Sequence, residues 1–263
     1  MDSPSSRDFR LSPASEHWLR GDGGEMYQAT LLLAHAPSGD HDELEADVAY
    51  PPPFAAPVPL ARESVRIAWE AEADPGPPPA DTADHDLMEA YARRFALARF
   101  ARRMIEGDPH AWIEALVSYW GKVPLPFDVP CRLTVEDGPA VRVGLDLPTP
   151  GALEHGPRAS KSERSAAHVE ACCGVVLTLA ADAFRILPTT VDFLYVTAAR
   201  EETDLATGHP RRAILLRLAT DQASLAALNL ASVTPSMALE HLGGALRRER
   251  GELVPLAYEL PLA

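Results

Sequence analysis

Arg94 and Arg102 stand eight residues apart, with Ala98 midway, inside the stretch 84–121 (DHDLMEAYARRFALARFARRMIEGDPHAWIEALVSYWG). On a helix these positions stack on one face. They share an arc with Leu87, Met88, Tyr91, Phe95 and Ile105, which reads as a core-facing stripe. A guanidinium on an apolar face must be paired, hydrated or bound to a ligand. Two planar forks one above the other suit a carboxylate or phosphate, which makes Arg94 and Arg102 a candidate anion site. The plainer reading lays both stems along the core and sends the heads to water or to a structural partner. Arg99 and Arg103 fall on the solvent side.

Asp146 and His168 are the candidates for acid–base work, Asp146 near a strand end and His168 one helical turn before Cys172. Imidazole beside thiol is the geometry of an activated nucleophile. No third orienting group is identifiable, and a thiol in an apolar helix ordinarily packs. A long polar loop, Glu201 to Arg212, carries Asp204, His209, Arg211 and Arg212 between two strands. Its exposure makes it the best candidate contact loop.

Nucleotide and hydrolase signatures are missing: no GxGxxG after a strand, no GxxxxGK[ST], no GxSxG, no HExxH. His35, Asp40, His41 and Asp42, like Asp84, His85 and Asp86, read as solvated loop and helix-start residues rather than metal ligands. No metal centre and no cofactor are expected. Cys131, Cys172 and Cys173 are odd in number and two are adjacent, which is neither a disulfide framework nor a zinc pattern.

The elements that must position these residues begin with Asp84, an N-cap whose carboxylate accepts from the opening turn. Gly107 ends that helix, and Asp108-Pro109 starts another along Trp112, Leu116 and Trp120. Cys131 to Leu147 alternates as a hairpin turning at 136–139. Ser160 and Glu163 make a capping box for a helix over about 161–187 whose ACCGVVLTLAA centre is apolar on nearly all sides. Thr190–Arg200 and Ala213–Thr220 read as strands, Asp221 and Thr234 as caps of short helices, and 247–263 has no firm assignment. Upstream, residues 1–25 read as a flexible arm and 26–75 as an acidic β region with strands at 27–34, 43–50 and 64–70. Residues 84–263 form the main domain, or one continuous domain runs from 26 to 263. The fold class is α+β: an antiparallel sheet built from hairpins, packed against the helical pair at 84–121 and the buried helix at 161–187.

The order helix, hairpin, helix, strand resembles the restriction-endonuclease-like core over about half the chain. That resemblance implies a metal-dependent nuclease, here a degenerate one. Asp137 and Asp146 match its acidic positions, but Pro148 stands where its lysine belongs, and Lys161 would have to substitute.

The net charge of −14 is uneven. Residues 1–86 hold 17 acidic residues against 5 arginines and no lysine, a balance of −12. That argues against nucleic acid and against anionic membranes. No stretch is apolar enough to span a membrane, and the N-terminus lacks a secretory h-region. Arginine outnumbers lysine 22 to 2, the mark of GC-rich and bacterial coding. These readings converge on a cytoplasmic, non-catalytic accessory or adaptor protein that binds a protein partner through its acidic N-terminal half. The alternative is a small-molecule or phosphate-ester enzyme with its anion site at Arg94 and Arg102.

Overall fold

The computed structural model describes residues 5–11, 18–20, 26–28, 62–80, 84–120, 125–135, 140–152, 160–188, 190–204, 206–230 and 232–256. The chain is α+β. Among the described residues, one sheet holds β1 (Ser5–Leu11), β2 (Trp18–Arg20), β3 (Met26–Gln28), β4 (Val129–Val135), β5 (Ala140–Asp146), β6 (Phe193–Thr203), β7 (Pro210–Asp221) and β8 (Ala245–Leu246). Their spatial order is β3-β2-β1-β4-β5-β6-β7-β8.

The sheet is mixed rather than wholly antiparallel. The β4–β5 and β6–β7 hairpins are antiparallel, but β5 and β6 run parallel, from Ala140 beside Phe193 to Asp146 beside Ala199. The helix between them is the cause. Helix α4 (Lys161–Ile186) has 26 residues, so it returns the chain by roughly 39 Å at ~1.5 Å per residue. Such a crossover delivers the next strand in the same direction as the last. The expected capping box is present: Ser160 Oγ accepts from Glu163 N–H, and the Glu163 carboxylate accepts from Ser160 N–H.

Two N-terminal readings change. Within the arm expected over 1–25, Ser5–Leu11 is a strand paired along its full length with β4. The strand expected at 64–70 lies in a helix, α1 (Arg62–Glu72). Val65, Ile67 and Trp69 alternate in sequence, yet Val65 and Trp69 also sit four apart, which fits a helical face equally well. Burial decides: Val65 and Trp69 are 1% and 3% exposed, Ile67 53%. Trp69 Nε1 donates to the carbonyl of Ile186 at 2.6 Å, tying α1 to the end of α4. Of the strand expected at 27–34, Gln28 ends β3, and residues 29–34 and 43–50 lie outside the described residues.

The helical pair comprises α2 (His85–Glu106) and α3 (Pro109–Trp120). Asp84 accepts from the N–H groups of Asp86 and Leu87, and Gly107 ends α2 at φ 84°, a left-handed conformation that glycine adopts without Cβ strain. Only the second half of α2 faces the core. Ala98, Phe100, Ala101 and Met104 are buried there, whereas Leu87 and Phe95 remain 49% and 43% exposed. Asp182 is a buried carboxylate on α4, 4% exposed, to which Arg185 Nη1 donates at 2.8 Å. Burial raises its pKa against the opposing pull of Arg185.

Beyond β7 come α5 (Gln222–Ala226) and α6 (Pro235–His241). Asp221 caps α5 through Ser224 N–H, whereas Thr234 makes no side-chain cap on α6. There, Ser236 N–H and Oγ both donate to the Glu170 carboxylate on α4. The unassigned C-terminal stretch contains a small hairpin, β9 (Arg248–Glu249) and β10 (Glu252–Leu253), turning at Arg250 and Gly251 with φ 51° and 82°.

Candidate interaction surface

Period-two alternation gives the sheet two unlike faces. Val129, Cys131, Leu133 and Val135 on β4, Val141, Val143 and Leu145 on β5, and Leu194, Val196 and Ala198 on β6 are buried. The residues between them, including Arg132, Arg142, Gly144, Asp146, Phe193, Tyr195 and Thr197, are exposed or half-exposed on the opposite face.

That outer face is polar and ordered by cross-strand pairs. Arg132 Nη2 donates to Asp8 Oδ2 at 2.9 Å, joining β4 to β1. Arg212 Nη2 reaches Asp146 Oδ1 at 2.6 Å, across β6 from β7 to β5. The Arg132 and Arg212 side chains meet over Gly144, where a Cβ would stand in ordinary van der Waals contact, 3.6 Å from Arg132 Cβ and 3.8 Å from Arg212 Nη2. The Arg142 guanidinium sits 4.6 Å from the centre of the Tyr195 ring, a cation–π contact, and Phe193 flanks Tyr195 at 6.4 Å.

Among the described residues, the β6–β7 hairpin runs on past its pairing with β5. Ala199 is the last β6 residue paired with β5, and four further rows follow: Arg200 with Ala213, Glu201 with Arg212, Glu202 with Arg211, and Thr203 with Pro210. At ~3.4 Å per residue the extension is roughly 13 Å before the turn. Much of the loop expected at 201–212 is therefore strand, and the true turn is confined to Asp204–His209. Asp204 organises it: its side chain accepts from Ala206 and Thr207 N–H, its N–H donates to His209 O, and its carbonyl accepts from Gly208 N–H. Gly208 has φ 72°, which the turn requires. Glu202 bridges Arg200 at 2.6 Å and Arg211 at 3.7 Å, stiffening the base. Glu201, Thr203, His209, Arg211 and Arg212 are exposed.

The other candidate residues are dispersed. Arg94 and Arg102 are exposed and lie against the segment after α1. Arg102 Nε donates to Ala73 O at 3.1 Å, and Arg94 Nη2 lies 3.2 Å from where a Cβ of Gly76 would sit. The forks thus approach the C-terminal end of α1, where carbonyls lack helical partners. His168 is 1% exposed on α4, with Nε2 2.9 Å from Pro148 O. Because a carbonyl only accepts, Nε2 donates to it, and Cys172 Sγ lies 3.5 Å from Nε2 and 3.9 Å from Nδ1. Burial pushes the Cys172 and Cys173 thiols up to about 12, far from a reactive thiolate. His168 is buried on α4, whereas Asp146 is half-exposed on the outer face of the sheet and pairs with Arg212. Lys161 Nζ faces Glu252 at 3.5 Å, and Asp137, His35, Asp40, His41 and Asp42 lie outside the described residues.

Among the described residues, no three His, Cys, Asp or Glu side chains group as metal ligands would. No described helix is long and apolar enough to cross a membrane. No protein-family model, curated protein or solved structure matches the chain. Sequence reasoning missed Glu202 and the Arg142–Tyr195 pair. The alternation of Phe193, Tyr195 and Thr197 along β6 carried part of that signal. The partners across strands required the parallel register.

Proposed function

We propose that the chain is a cytoplasmic, non-catalytic accessory or adaptor protein that binds a protein partner. The tip of the β6–β7 hairpin is the specific contact, and the acidic N-terminal half draws in a basic surface. The observation that carries this reading is the four-row extension of the hairpin beyond β5, ending in an ordered turn with charged side chains in solvent. A stiff extension loses little conformational entropy on binding. The −12 balance of residues 1–86 supports the choice of partner charge, since complementary fields speed encounter and select partners. The test is capture from a lysate of the native host, comparing the wild type with a variant whose 204–209 turn is replaced by Asn-Gly. One partner retained by the wild type, lost from the variant and released between about 0.05 M and about 0.5 M salt is the expected result. Equal retention by the variant, or retention indifferent to salt, overturns the reading.

A further inference from the structure

We draw no further inference here: the strongest candidate, the cavity of about 720 Å³ between the first turns of α4 and the β9–β10 hairpin, lined in part by Lys161, Ser162, Ser165 and Arg250, carries no ligand assignment, because its cations are exposed side chains at a helix N-terminus and its buried polar group, Ser165 Oγ, already donates to Glu252.

Discussion

Arg102 and the cysteines show how a side chain's chemistry follows from what surrounds it. The Arg102 bond to Ala73 O is a surface contact, so Arg102→Met should cost about 0.5–1.5 kcal/mol in urea unfolding. If the two forks hold the end of α1, phosphate should raise the wild-type Tm no more than chloride at equal ionic strength. A phosphate-specific rise that disappears in Arg102→Met would restore the anion-site reading. The thiols give a second check. Because burial holds Cys172 and Cys173 near about 12, labelling of the native protein should be slow between pH 7 and 9 and fast in denaturant. Rapid native labelling would contradict the buried α4. Asp108 supplies a pH dependence. Burial alone would raise its carboxyl, but the Arg103 bond and the His110 N–H outweigh it and hold it below the ordinary range. A carboxyl depressed in the folded state contributes stability above its unfolded pKa and loses it as pH falls through the folded one. Asp108→Asn should therefore be less stable than wild type at neutral pH, and the difference should shrink below about pH 4. A gap of constant size across that range would mean the charge of Asp108 is not what stabilises.

At the scale of elements, α1 shows where the sequence misleads. Seven residues that alternate apolar and polar fit a strand, and the same residues place Val65 and Trp69 one helical turn apart. Nothing local separates the two periods; the surfaces of α2 and α4 do. The two arrangements have different consequences. In the helix, Trp69→Ala should cost about 3–5 kcal/mol, whereas Ile67→Lys should stay within about 0.5 kcal/mol. Comparable losses from both would favour the strand. Other elements were legible because their signals are chemical rather than periodic. Asp84, Gly107, Asp108-Pro109 and the Ser160–Glu163 box mark their boundaries through backbone groups that must find partners, whatever the tertiary fold.

For the whole molecule, the α+β class and the inner helix 161–187 could be read because each rests on a long stretch of consistent pattern. The parallel join of β5 to β6 could not, since sheet order depends on contacts between segments far apart in sequence. The candidate surface was legible to the same extent. Asp204, His209, Arg211 and Arg212 were visible as an exposed polar run, but its being a stiff hairpin braced by Glu202 was not. Asp146 reads in the sequence as an acid–base candidate, because its partner Arg212 stands 66 residues away and only the fold brings the two together. The measurement that bears most directly on the account is hydrogen–deuterium exchange of the protein alone and with the partner captured from its host. The account predicts that binding slows exchange most at 201–212. Protection confined to other segments, with the hairpin tip exchanging as in the free protein, would contradict it.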